Sequence, residues 1–304
     1  MGKINQNSTV FVTGGSGFLG CHLCDQLRSR FDVHASYNSN PCSLQHCRTT
    51  QLDITDHDHV VETISQCSPS LIVHAAAVSS PDVCERDPSR AWAVNVDGTK
   101  NLITAAMKRA VPLIYVSTDM VFSGQEGNYT ENDDPAPINF YGKTKREAEI
   151  ICRKASDTCT IVRITLQYGR GRGTARSFSD WLLHNLSAGS KVPLFYDQYR
   201  TPTYVKDTVR GIEIIALNGK PGDLYHLAGP DRIDRHSFGR MFAAVFSFPE
   251  SLLKRTAMAD VPSAAARPKD VSLDGKKFTD QFNFFPRGVY DGIRKMSREY
   301  AETT

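Results

Sequence analysis

The sequence predicts a doubly wound α/β fold, a parallel sheet with helices on both faces, and two observations carry that prediction. Short apolar runs alternate with helix-length stretches through the first half of the chain, which implies parallel strands joined by right-handed crossovers. The glycine cluster Thr13-Gly14-Gly15-Ser16-Gly17-Phe18-Leu19-Gly20 falls between the first such run and the first such stretch. A strand-to-helix turn is the context in which this cluster can seat a dinucleotide.

Taken in order, Thr9-Val10-Phe11-Val12 is the first strand, and the glycines open a helix that runs through Leu27. Residues 33–37 read as a second strand, Gln51-Leu52 as the end of a third, and 56–65 as a helix. Residues 69–77 form a buried strand ending in the small-residue loop Ala75-Ala76-Ala77, and 88–110 carry a long helical pattern. Residues 112–117 are too short for a helix and are bounded by a proline, so they read as a strand. A helix over 139–149 and a strand over 160–164 follow. Beyond that point the alternation loosens into loop-rich segments around 169–173 and 196–204, a strand-like 224–227, a helix over about 235–246 and another near the C-terminus. The expected division is a Rossmann-type NAD(P)-binding domain over 1–165 and a smaller, mainly substrate-binding lobe over 166–304, interleaved with the last strands of the sheet.

Ligands of doubly wound sheets sit at the carboxyl ends of the strands. Residues 14–20, 37–40, 53–54, 75–77 and 117–119 each follow an expected strand, so they converge on one crevice. Glycine in the first of these allows a tight turn, a close approach to a diphosphate, and helix N–H groups aimed at negative charge. An NAD-specific site places an acid at the end of the second strand. Here that place reads Tyr37-Asn38-Ser39-Asn40, with Asp32 at the wrong end, so NADP is the expected cofactor and NAD the alternative.

The charge balance, 36 basic against 33 acidic residues, with no basic tract or aromatic stripe, argues against a nucleic-acid partner. No apolar run approaches the roughly 18 residues needed to span a bilayer, and residues 1–8 lack the apolar core of a signal peptide. A cytoplasmic protein with no membrane partner is expected. Eight scattered cysteines, Cys42 among them, are too sparse for a disulfide framework. Cys21-His22-Leu23-Cys24 falls on the helix behind the glycines and is read as packing; no second ligand pair completes a zinc set, so no metal site is expected.

Tyr141-Gly142-Lys143-Thr144-Lys145 carries the chemistry. At i,i+4 on a helix the phenol and the ammonium face one site. A tyrosine ordinarily titrates near pH ~10, and a neighbouring cation stabilises its phenolate, so Lys145 is expected to tune Tyr141 for proton transfer. Lys145 can also reach the ribose of a nicotinamide cofactor.

Together with the N-terminal fingerprint and Ser117-Thr118-Asp119, the stretch 137–145 resembles the extended short-chain dehydrogenase/reductase family, and within it the dTDP-4-dehydrorhamnose reductase group. The likeness covers nearly the whole chain. Ser117-Thr118-Asp119-Met120-Val121-Phe122 is similar to the family's S-T-D-Y-V-F, and residues 197–203, Asp-Gln-Tyr-Arg-Thr-Pro-Thr, to its D-Q-x-G-x-P-T. The resemblance implies Thr118, Tyr141 and Lys145 as a catalytic triad. It implies a cofactor site of Gly14, Ser16, Gly17, Phe18, Leu19, Gly20, Tyr37, Asn38, Asp53, Ile54, Ala75, Ala76 and Ala77 with Tyr141 and Lys145, and substrate contacts from Val78, Thr118, Arg200 and Thr201.

The implied function is NAD(P)-dependent reduction of a nucleotide-linked 4-keto-6-deoxy sugar, with a homodimer among the assemblies open to the chain. Met120 stands where the family has tyrosine, and Arg200 with Thr201 where it has a glycine-containing pair, so the sugar pocket is expected to differ in shape. Dehydratases of the superfamily carry Thr-Asp-Glu where this chain has Thr118-Asp119-Met120, which disfavours dehydration. Two alternatives remain: an NADP-binding regulatory subunit resembling that of methionine adenosyltransferase, and a nucleotide-sugar epimerase. Arg170 and Arg172 are two further candidates for a substrate diphosphate.

Overall fold

The computed structural model describes residues 4–41, 44, 47–172 and 175–302, so Cys42 and Gly173 lie outside the described residues. Seven parallel strands form one sheet: Thr9–Thr13 (β1), Asp32–Tyr37 (β2), Arg48–Gln51 (β3), Leu71–His74 (β4), Leu113–Thr118 (β5), Cys159–Ile164 (β6) and Leu224–Leu227 (β7). Their spatial order is β7-β6-β5-β4-β1-β2-β3. The chain winds outward from β1 to β3 and then returns to lay β4 against the other side of β1. That reversal leaves a crevice at the carboxyl ends of β1 and β4.

Side-chain alternation sorts the two faces. Val10 and Val12 of β1, Val33 and Ala35 of β2, and Leu71 and Val73 of β4 pack beneath the helices Phe18–Leu27 (α1) and Val205–Asn218. Phe11, Ile72, Leu113, Tyr115 and Ile161 face the opposite layer, built from His57–Cys67 (α2), Gly98–Lys108 and Phe140–Lys154. Strands buried on both faces read as continuous apolar runs, which is why β1, β4 and β5 were visible in the sequence.

The segment after residue 165 splits between two structures. It supplies β7 and the helix Val205–Asn218 to the central layers, and it builds a second core from Tyr168, Leu182, Leu194, Tyr204, Phe238, Phe242 and Ile293. The loop-rich reading of residues 196–204 gives way to two short strands, Tyr199–Arg200 and Thr203–Tyr204. The first pairs antiparallel with Ile233–Asp234 and the second pairs parallel with Gln167–Tyr168. Two-residue strands are too short to show an alternation.

The long helix expected over 88–110 is divided. Pro81–Arg86 (α3) and Pro88–Trp92 (α4) each start with proline after a side-chain cap, Ser80 and Asp87. A π-helical turn, Ala93–Asp97, then leads into Gly98–Lys108 (α5). The later helices are Phe140–Lys154 (α6), Phe178–Ser187 (α7), Val205–Asn218 (α8), Arg235–Phe246 (α9), Lys276–Phe282 (α10) and Val289–Ala301 (α11). Among the described residues no helix is long and apolar enough to cross a membrane.

Candidate active site

A cavity of about 470 Å³ opens at the β1/β4 reversal. Its floor is the glycine turn. An added Cβ on Gly20 would lie 2.0 Å from the Gly14 carbonyl oxygen, so only glycine lets α1 start this close to β1. The residue capping α1, Gly17, offers no side-chain acceptor to the first turn. Its N–H groups are therefore open to an anion, with the helix dipole behind them.

Gly14, Ser16, Gly17, Phe18, Leu19 and Gly20 all line this cavity, as do Tyr37 and Asn38 after β2, Asp53 and Ile54 after β3, and Ala75, Ala76 and Ala77 after β4. Val78, Tyr141 and Lys145 complete the set brought together from the sequence. Asp53 also accepts from the backbone and hydroxyl of Thr55, a turn of its own. Arg90, Val94 and Gln167 line the cavity without having been singled out, because each sits on an element whose approach depends on tertiary packing.

Beneath the wall runs a hydrogen-bonded chain with no sequence motif of its own. The Thr13 hydroxyl accepts from the Ala76 N–H and lies 2.7 Å from His74 Nδ1, while His74 Nε2 lies 2.9 Å from the Thr99 hydroxyl, which donates to the Asn95 carbonyl. The directions are consistent with a neutral ring, Nε2 donating and Nδ1 accepting. Burial and the Lys145 ammonium hold the pKa of His74 down to about 3. Asn95, on the π-helical turn, accepts from the Val78 N–H, donates to the Val78 carbonyl and donates to the Thr144 hydroxyl. It thereby ties the loop after β4 to α6, an example of a π-helical turn at a functional site.

Helix α6 presents Tyr141 and Lys145. Asn139 caps it by accepting from the Gly142 N–H at 2.9 Å, and donates to the Ala266 carbonyl. At Gly142 an added Cβ would stand 2.2 Å from the Met120 carbonyl oxygen. Glycine here is what allows α6 to lie against the turn Asp119–Val121, which Thr118 caps through the Met120 N–H. Thr118 is buried beside Tyr141 and donates to Asp119 Oδ1 at 3.0 Å.

The electrostatics depart from the expected tuning of Tyr141 by Lys145. Burial raises the Tyr141 pKa well above its ordinary value; the hydrogen bond with Thr118 pulls it down, and the Asp119 carboxylate pushes it up. The Lys145 Nζ is engaged on the other side, donating to the Val116 carbonyl at 2.7 Å and lying 4.1 Å from the centre of the Tyr115 ring. Burial lowers the Lys145 pKa to about 7, against smaller upward effects of Cys152 and Glu149. Burial thus favours the neutral phenol at Tyr141 and the neutral amine at Lys145.

Glu149 anchors the layer below. It accepts from the Ser117 hydroxyl and from Nε and Nη2 of Arg163, both charged side chains being fully buried. Arg163 also meets His226 Nε2, whose Nδ1 faces the Tyr129 carbonyl.

Thr118, Arg200 and Thr201 are not among the residues lining the cavity. Thr201 accepts from the Leu273 N–H, and Arg200 donates to the carbonyls of Tyr199 and Pro268 beside Asp119. Arg170 and Arg172 are engaged elsewhere, the first with the Glu299 carbonyl and the Tyr300 ring, the second with Asp25. Neither arginine lines the cavity. Cys21 and Cys24 are buried on α1, and His22 meets the Arg170 carbonyl.

The family described as RmlD substrate binding domain matches residues 8–302. The chain is 34% identical over 269 residues to the probable low-salt glycan biosynthesis reductase Agl14 of Haloferax volcanii, covering 87% of this chain and 89% of that one. It is 30% identical over 279 residues to methionine adenosyltransferase 2 subunit beta of Pongo abelii, covering 89% and 81%. The crystal structure of dTDP-4-dehydrorhamnose reductase from Bacillus anthracis in complex with NADP superposes with a TM-score of 0.86 at 24% identity, over 96% of this chain and 99% of that one.

Proposed function

Since this chain belongs to the RmlD substrate binding domain family, we propose that it is an NADP-dependent reductase of a nucleotide-linked 4-keto-6-deoxy sugar, with Thr118, Tyr141 and Lys145 as its catalytic residues. The observation that carries this reading is the meeting of the glycine cradle and the Tyr141/Lys145 face in one cavity. The reductase named among the relatives supports the reaction class.

The residues present fit a dinucleotide. The glycine turn, which Gly20 lets pack directly on Gly14, and the uncapped start of α1 suit a diphosphate. Tyr37, Asn38, Ser39 and Asn40 line the far end with neutral side chains, and none of them would repel a ribose 2′-phosphate. When bound, the cofactor supplies hydride. Lys145, buried and able to lose its proton near neutrality, would hold ribose hydroxyls. Thr118 would orient the substrate carbonyl, and Tyr141, kept protonated by burial, would donate to the developing alkoxide.

Tyr141→Phe tests this. NADPH oxidation with a 4-keto nucleotide sugar should fall ~10²–10⁴-fold, the range for removing a general acid, while NADPH binding is retained. Wild-type turnover in that variant would overturn the reading. A second reading, a cofactor-binding regulatory subunit, draws on the 30% identical methionine adenosyltransferase relative. It requires no turnover in the wild type and a stable partner chain.

A further inference from the structure

A nicotinamide dinucleotide brings a diphosphate into the cavity at the β1/β4 reversal, and NADP adds a ribose 2′-phosphate. The loop after β2 meets that charge with Tyr37, Asn38, Ser39 and Asn40, none of them a cation. Among the described residues lining the cavity, the basic side chains are Lys145 and Arg90. Lys145 donates to the Val116 carbonyl, and its burial favours the neutral amine. Arg90 is left as the charge available to a phosphate.

Arg90 stands in the first turn of α4, after the cap Asp87 and Pro88. Asp87 accepts from the Arg90 backbone N–H, while the exposed guanidinium has no hydrogen bond or ion pair among the described residues. Helix stability does not account for a cation here, because the partial positive charge at a helix N-terminus disfavours one. Val94, one turn on, lines the cavity as well. Gly98, at the next turn, packs on Ile54 so closely that an added Cβ would stand 2.7 Å from Ile54 Cγ1. This face of the helical run therefore points to the β3 side of the crevice, whereas Tyr141 and Lys145 come from α6, packed on β5 at the other side of β1. Asp53, the acid on the β3 wall, is turned to Thr55.

We propose that Arg90 is the phosphate-binding cation of the cofactor site, reaching the adenosine half of the dinucleotide and holding a phosphate there. The proposal rests on the dinucleotide reading of the cavity and adds a residue that decides affinity within it. A guanidinium binds phosphate oxygens through paired N–H donors, so one that is unpaired at a cavity wall is matched to this ligand. Two sources share the chemistry: the ribose 2′-phosphate, which makes Arg90 the determinant of NADP over NAD, and the diphosphate common to both cofactors.

The test is calorimetric titration of the full chain by NADPH, NADH and 2′,5′-ADP. Wild type is compared with Arg90→Met, with Arg90→Lys, which keeps the charge but not the paired donors, and with Arg153→Met, which removes an exposed cation of α6 outside the cavity. NADPH binding should weaken roughly tenfold or more in Arg90→Met, less in Arg90→Lys, and not at all in Arg153→Met. A loss shared by NADPH and 2′,5′-ADP but absent for NADH assigns the contact to the 2′-phosphate; an equal loss for NADPH and NADH assigns it to the diphosphate. Unchanged affinities in both Arg90 variants, or the same loss in Arg153→Met, would overturn the proposal while wild-type binding leaves the dinucleotide reading intact. Failure of that reading shows separately, as no binding of NADPH or NADH to the wild type.

Discussion

Replacing Gly142 by alanine is the sharpest probe of how this site is assembled. The new methyl group would stand 2.2 Å from the Met120 carbonyl oxygen and 2.8 Å from Pro137 Cβ. The first contact is backbone, so no side-chain rotation relieves it; α6 and the Asp119–Val121 turn must part by about 1.2 Å to restore an ordinary contact, a displacement of the size that costs ~10²-fold when it misplaces reacting groups. The separation falls between Tyr141, adjacent on α6, and Thr118, which caps that turn. Overpacking of this kind costs about 1–3 kcal/mol of stability. Steady-state NADPH oxidation and thermal unfolding should therefore fall together, with kcat more affected than NADPH binding. Lys143→Ala, on an exposed neighbouring position of the same helix, should leave both unchanged. Wild-type turnover and stability in Gly142→Ala would refute the claim that close packing of α6 on this turn sets the catalytic geometry.

Gly20→Ala should abolish NADPH binding in a fluorescence titration, since its Cβ would drive α1 from the Gly14 carbonyl. Glu149→Ala should cost ~3–5 kcal/mol in denaturant unfolding, because it strands the fully buried Arg163 guanidinium. Acid should destabilise the protein below about pH 6.5. The His74 and His226 pKa values are both held down to about 3 by burial, with cationic neighbours adding to the effect. Between that value and the unfolded one the unfolded chain binds more protons, so their contribution is complete above the unfolded pKa and is lost as pH falls. Each is worth on the order of 5 kcal/mol at full extent. His74→Asn should shallow the acid limb measured by chemical denaturation at pH 4–7; an unchanged slope would contradict a buried neutral ring.

Much of the site was legible in the chain. Local spacing was enough for the glycine turn, because its strand and helix are contiguous with it, and for Tyr141 and Lys145, because one helix carries both. The cavity's remaining lining could be placed by a single topological rule, that loops after parallel strands meet at one edge of the sheet. Asn95 and His74 were not legible, since their roles depend on partners at Val78, Thr144, Thr13 and Thr99 that only the folded sheet brings near.

What the sequence determined by itself is therefore the fold class, the location of the crevice and the placing of Tyr141 and Lys145 on one helix, all readable from periodicity and short-range motif. What only the tertiary structure decided is the electrostatic surroundings of those two side chains. Lys145, one helical turn from Tyr141, turns to the Val116 carbonyl, and Arg200, distant in sequence, comes to lie 3.6 Å from Asp119. Solvation and charge pairing depend on which atoms are buried together, and linear spacing carries no record of that.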